Sequence, residues 1–222
     1  MKFQATRELV VETCRRLADQ GFLAGTGGNV ALRADETTLA VTPSATDYYS
    51  MSPSEVCLVG LNDPRQIAGE KRPSVELKLH SNVLLARPDC SASIHTHQPI
   101  ASAYTLLASA LSIKNPRHRE LLGDRIPCAG YAPSGTSWLA GKVAKLVCRD
   151  VHAYFMRNHG VVCVGADVKI ALSRVAALEQ ACADFFQHRL QENKPNLTSA
   201  AFKMVDGALT LSSNSESIET AK

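Results

Sequence analysis

Two apolar runs, HAYFM at 152–156 and VVCVG at 161–165, are separated only by RNHG. Four residues cannot carry a helical crossover, so strands joined this way pair antiparallel as a hairpin. A purely parallel βαβ sheet is therefore excluded, and His159, followed by Gly160, falls at the rim of a sheet.

Further strands are predicted at VALR (30–33), TLAVT (38–42, closed by Pro43), EVCLVG (55–60) and CSASIH (90–95). Between them lie helical patterns. Val10, Cys14 and Leu17 recur at helical spacing from Thr6 to Gln20, and Gly21 follows as a C-terminal stop. Ser74 can cap a helix to about Ala86, with Val75, Leu79, Val83 and Leu84 inward and Glu76 in its first turn. The segment NDPRQIAGEKRP before it reads as a turn-rich connection. Pro99 can start a helix through IASAYTLLAS, while the polar section up to Gly123 gives no assignment. A helix is expected from Thr136 to Val147, and Asp167 can cap a long last one to about Leu190. Adjacent strands mixed with helices fit an α/β, three-layer fold, a central mainly antiparallel β-sheet flanked by helices. The expected organisation is a single domain over 1–195 and a C-terminal segment at 196–222 whose last dozen residues form a mobile tail.

With 24 basic and 21 acidic residues spread along the chain, no field suited to nucleic acid or an anionic membrane develops. The densest basic stretch, KNPRHRE at 114–120, reads as a solvated loop. No apolar run reaches the roughly 20 residues that span a bilayer, and MKFQATRELVVET lacks the features of a signal peptide. The expected location is cytoplasmic. Seven widely spaced cysteines, an odd number, suit buried reduced thiols rather than a disulfide framework.

The chemistry concentrates at SIHTH, 93–97. In an extended chain residues i and i+2 share a face, so His95 and His97 can aim both imidazoles at one metal ion, with a third ligand from elsewhere. His159, at its hairpin turn, has the best case among the remaining histidines. His80 lies one helical turn after Glu76, so the two can bond on one helix face, in a packing or supporting role. His118 and His188 read as surface residues, and His152 as a strand opener without a catalytic part. Glu76 stands out as a carboxylate at a helix start, where amides are free and the dipole is positive. GTGGN (25–29) can cradle an anion with exposed amides.

Taken together, GTGGN, TPSA (42–45), RPSVE (72–76), IHTH (94–97), IPCAGYAPSGT (126–136) and NHGVV (158–162) resemble the class II aldolase and adducin family in order and spacing, from about Lys2 to Leu190. The pattern is nearest to the fuculose-phosphate aldolase branch. The resemblance implies His95, His97 and His159 as zinc ligands, with Mn²⁺, Co²⁺ or Fe²⁺ as alternatives. It implies Glu76 as acid/base and a possible metal ligand at rest. It implies three phosphate-holding loops, Gly28 with Asn29, Ser44 with Ala45, and Ser74 with Val75. The implied reaction is cleavage of a ketose 1-phosphate, or a similar hydroxy-ketone, to dihydroxyacetone phosphate and an aldehyde through an enediolate. The implied assembly is a homotetramer.

Three departures stand out. Ala45 replaces a glycine, Val75 replaces a frequent second serine, and SIKNPRHRE (112–120) offers no counterpart of the inter-subunit tyrosine. A decarboxylase of a phosphorylated oxo-acid is the main alternative. Glu76 speaks against the epimerase branch, which carries aspartate there. The retained histidines speak against a non-catalytic scaffold, and a zinc hydrolase is the remaining alternative. Tyr131 is a further candidate pocket residue.

Overall fold

The computed structural model of the chain describes residues 1–23, 25–63 and 65–214. Helix α1 (Gln4–Asp19) is followed by β1 (Asn29–Arg33), β2 (Thr38–Val41), β3 (Cys57–Gly60) and β4 (Gln66–Ala68). Next come α2 (Leu77–Ala86), β5 (Ala92–Thr96), α3 (Pro99–Tyr104), β6 (Leu111–Ser112) and α4 (Pro116–Leu122). The rest comprises β7 (Arg125–Ile126), β8 (Cys128–Ala129), α5 (Ser137–Ala144), β9 (Ala153–Met156), β10 (Gly160–Gly165), α6 (Val168–Asn193) and α7 (Ser199–Asn214).

Eight strands form one sheet in the order β4-β3-β2-β1-β5-β10-β9-β8. Every neighbouring pair is antiparallel except β8 with β9, so the sheet is the mainly antiparallel one expected. Strand alternation sends Val30, Leu32, Ile94, Val161 and Cys163 into one core with α1, α3 and α6. Ala31, Val41, Val162 and Val164 go into the other, under α2 and α5. Asn29, His95 and Val162 are cross-strand partners and share the α2/α5 face. That register places polar groups from two strands beneath the start of α2.

Several boundaries differ from the sequence reading, each for a local reason. The connection after β3 holds β4, three residues at the sheet edge. KNPRHRE is not a loop: the Asn115 side chain accepts from the amides of Arg117 and His118 and starts α4. Helix α2 begins at Leu77, so Glu76 occupies the cap position itself and Ser74 lies two residues outside. Val75, expected inward, is 66% exposed because it precedes the first helical turn. Helix α7 occupies 199–214, a stretch with no predicted helix; of the expected mobile tail, residues 215–222 lie outside those described. All seven cysteines are free, five of them buried. Among the described residues no helix is long and apolar enough to cross a membrane.

The long helix α6 fixes the segment just after His97. Glu179, buried, accepts from the amides of Ile100 at 2.7 Å and Ala101 at 2.8 Å. Gln98 donates to the Val175 carbonyl at 2.9 Å and accepts from the Thr96 hydroxyl at 2.6 Å. A Glu179→Leu substitution strands two buried amides, at roughly 1–3 kcal/mol for each unmade bond. Urea unfolding of this variant is expected to show a loss of about 2 kcal/mol or more, with Glu179→Gln, which keeps an acceptor, losing less than half of that.

Candidate metal centre

Strand β5 carries His95 at its second-last position, and His97 is the first residue beyond it, so both project toward the α2/α5 face. His159 arrives from the β9–β10 turn, which Asn158 makes tight by adopting φ 55°, a conformation asparagine tolerates better than most residues. The three rings meet: centroids are 4.7 Å apart for His95 and His97, 4.8 Å for His95 and His159, and 5.2 Å for His97 and His159. One ring nitrogen from each lies within 4.8 Å of the other two.

The fit to a cation can be tested atom by atom. His95 Nδ1–H donates to the Val161 carbonyl at 2.8 Å, which leaves the Nε2 lone pair facing inward. His95 Nε2, His97 Nε2 and His159 Nδ1 are all buried without a hydrogen-bond partner. Glu76 Oε2 lies 3.1 Å from His95 Nε2, and Glu76 Oε1 lies 3.4 Å from His159 Nε2. Two acceptors at 3.1 Å repel unless a proton or a cation lies between them. Orphaned nitrogens beside a carboxylate fit a divalent cation.

Glu76 is 5% exposed and makes no cap bond of its own, so its carboxylate is free to turn into the site. Oε2 accepts from Asn29 Nδ2 at 2.8 Å and Oε1 from the Ser134 hydroxyl at 2.9 Å. Burial pushes its carboxyl up, but the nearby His95, the Asn29 amide donor and the nearby His159 together hold it well below the usual carboxylate range. Burial, reinforced by neighbouring imidazoles, takes His97 and His159 down to about 4. Both are neutral near pH 7, as metal ligands must be.

The remaining sequence candidates line the adjoining loops. Gly28 adopts φ 82°, and a Cβ there would lie 2.8 Å from the His95 carbonyl, so only glycine lets this loop press on β5. Asn29 is turned to Glu76 rather than outward. The Ser44 amide donates to the Arg72 carbonyl and the Ser74 amide to the Thr42 carbonyl, which ties the second and third loops together. The Ser74 hydroxyl accepts from the Glu76 amide at 3.2 Å. Ala45 adopts φ 49°, the left-handed turn a glycine would make, and Val75 packs on Gly135.

The His80 side chain does not bond that of Glu76; the Asn29 amide lies between them. His118 is half-buried 3.7 Å from Asp184, not a free surface residue, while His188 is exposed and His152 receives a bond from Arg87. Tyr131 is exposed. Sequence reasoning missed Ser134. It lies inside the IPCAGYAPSGT motif, but nothing local indicates that its hydroxyl reaches a carboxylate 58 residues away.

Residues 8–185 match the Class II Aldolase and Adducin N-terminal domain, and the chain belongs to that family. The 5-deoxy-D-ribulose 1-phosphate aldolase of Bacillus thuringiensis serovar kurstaki is 30% identical over 201 residues, covering 89% of this chain and 91% of its own. An L-fuculose phosphate aldolase of Methanococcus maripaludis is 29% identical over 170 residues, 77% of this chain and 90% of its own. Among solved structures, YgbL of Klebsiella pneumoniae superposes with a TM-score of 0.77 at 27% identity, covering 84% of this chain and 91% of that one. An L-fuculose 1-phosphate aldolase superposes with a TM-score of 0.78 over 95% of each chain; at 22% identity it bears on the fold alone. The protein is an enzyme of the lyase type, a metal-dependent aldolase with a three-histidine cluster.

Gly160 lies against the cluster: a Cβ there would stand 2.5 Å from the Thr96 carbonyl, 2.6 Å from His97 Cδ2 and 3.0 Å from His95 Cε1. A Gly160→Ala variant is expected to bind Zn²⁺ at least about tenfold more weakly while keeping its circular dichroism, a loss of the size seen when ligand orientation is disturbed. Competition with a chromophoric chelator measures it.

Acid should also unfold the metal-free protein through these histidines. The unfolded chain takes up their protons near 6.5, whereas the fold holds His80 down to about 3 and His97 and His159 down to about 4. Groups with depressed folded values stabilise fully above the unfolded value and lose that contribution as pH falls. Urea midpoints are therefore expected to be flat from pH 6.5 to about 8, where thiols of the unfolded chain begin to ionise, and to drop steadily from pH 6.5 toward pH 4.

Proposed function

We propose that the enzyme is a Zn²⁺-dependent aldolase that cleaves a ketose 1-phosphate into dihydroxyacetone phosphate and an aldehyde. The observation that carries this reading is the convergence of one ring nitrogen from each of three histidines beside a buried, doubly hydrogen-bonded carboxylate. The names of the relatives support a short phosphorylated ketose, 5-deoxyribulose 1-phosphate or fuculose 1-phosphate. Three neutral imidazoles suit Zn²⁺, with Mn²⁺, Co²⁺ and Fe²⁺ as alternatives.

A bound divalent cation would supply Lewis-acid stabilisation of negative charge on the substrate carbonyl oxygen. The protein's own residues do the rest. When the C3–C4 bond breaks, its electron pair passes to C3, the C4 hydroxyl proton leaves to water and C4 becomes the aldehyde. Glu76 moves the proton at C3. As a carboxylate it removes that proton in the synthetic direction, and by microscopic reversibility it returns it in cleavage. Asn29 and Ser134 hold its two oxygens, so the proton is exchanged at a fixed place.

The three loops at 28–29, 44–45 and 74–75 would hold the phosphate beside this centre, the second and third kept adjacent by their hydrogen bonds. The free thiols support a cytoplasmic setting, and family membership supports a homotetramer.

Dihydroxyacetone phosphate release from a panel of ketose 1-phosphates, coupled to NADH oxidation, tests the reading. Release is expected to stop with a chelator, to return with Zn²⁺, and to fall at least about 100-fold in Glu76→Gln and His97→Ala, the scale of general acid–base catalysis. Release of CO₂ from phosphorylated oxo-acids with no cleavage of any ketose would overturn it in favour of a decarboxylase.

A further inference from the structure

Behind Glu76, and reaching it through Asn29, lie two buried polar groups that the reaction does not use, His80 and Ser93. His80, fully buried on α2, presents Nδ1 to the Ser93 hydroxyl at 2.8 Å and Nε2 to Asn29 Oδ1 at 2.5 Å. Asn29 Nδ2 in turn donates to Glu76 Oε2 at 2.8 Å. An amide oxygen can only accept, so His80 Nε2 must carry the ring proton, and Nδ1 accepts from the Ser93 hydroxyl. Each donor in the row then points one way, from Ser93 to His80 to Asn29 to Glu76.

We propose that His80 is a positioning residue for Glu76: held in its Nε2–H form by Ser93, it keeps the Asn29 amide turned with its NH₂, not its oxygen, toward the carboxylate. The inference rests on the reading of Glu76 and the three histidines as the reaction centre. Without His80 the Asn29 amide can rotate by half a turn and set Oδ1 against Glu76. Two acceptors facing each other in a buried site repel strongly, and the carboxylate would swing away from His95 and His159. Simple packing does not account for the histidine, because the buried residues of α2 are otherwise Leu77, Leu79, Val83 and Leu84 with the small Ser81, and a leucine would fill the space of His80. Burial that takes His80 down to about 3 keeps it neutral and preserves the direction of the row.

Two measurements test this. In metal-free protein labelled with ¹⁵N-imidazole, long-range ¹H–¹⁵N spectra are expected to show His80 as the Nε2–H tautomer, and Ser93→Ala to weaken that preference. His80→Leu is expected to lower kcat for ketose 1-phosphate cleavage and the affinity for Co²⁺ by about 10- to 100-fold each, with KM changing less than about threefold. His80→Gln, whose amide can still donate to Asn29 Oδ1, should recover most of both.

An Nδ1–H tautomer overturns the proposal. So does a folded His80→Leu protein with wild-type kcat and Co²⁺ affinity, or a Gln variant no better than Leu. If His80→Leu does not fold, the tautomer and the Gln variant decide. If the wild type cleaves no ketose phosphate, the functional reading falls, while Co²⁺ affinity and the tautomer still judge the role of His80.

Discussion

An ionised carboxylate with only 5% of its surface exposed dictates much of what surrounds it. Removing such a charge from water costs several kcal/mol even after relaxation, and only well-placed partners offset it. For Glu76 the donors are Asn29 from β1 and Ser134 from the loop before α5, while His95 from β5 and His159 from the β9–β10 turn face it where a cation would complete the balance. They meet because β1, β5 and β10 pair in one register, with Asn29 opposite His95 and His95 opposite Val162. A slip of one residue would turn Asn29 or His95 to the opposite face, toward the core of α1 and α6. The sheet is thus the instrument that keeps the charge tolerable.

The same partners leave the site electrostatically incomplete. His97 and His159 are held neutral by burial, and the inward nitrogen of His95 is a lone pair because its other nitrogen is committed to Val161. Donors from Asn29 and Ser134 satisfy the outer side of the carboxylate, but its other side faces the His95 Nε2 lone pair at 3.1 Å and His159 Nε2 at 3.4 Å. A divalent cation is the species that turns these contacts from repulsive to attractive while retaining a coordination position for substrate. The arrangement suits a Lewis acid better than it suits a simple proton-transfer pair.

How much of this was legible in the sequence follows from the range of each interaction. Strands and long helices were readable because periodicity is local, and His95 with His97 was readable because i and i+2 share a face of a strand. The RNHG turn likewise placed His159 at a rim. Elements too short to show a period were not, three-residue β4 and seven-residue α4, and neither was α7, sixteen residues long but with the composition of a tail. The support for Glu76 was beyond local reading, since Asn29 lies 47 residues before it and Ser134 58 after. The family motifs marked both segments without saying which atoms meet. Asn29 shows the difference most clearly, for its motif suggests an outward anion site and its amide is committed inward.

The departures at 45 and 75 take on physical meaning in this setting. Ala45 keeps the left-handed turn that a glycine would make, at φ 49°, so the loop retains its backbone course and stores strain of about 1 kcal/mol or more. What changes is the methyl group. Val75 adds an apolar side chain, two-thirds exposed, packed beside Gly135 in the loop that also presents Ser134. The amides of Ser44 and Ser74 are already committed to neighbouring carbonyls, so an anion there must rely on the donors of the other loop residues. Both residues therefore change the room and polarity of their loops, while the carboxylate and its three imidazoles stay in place.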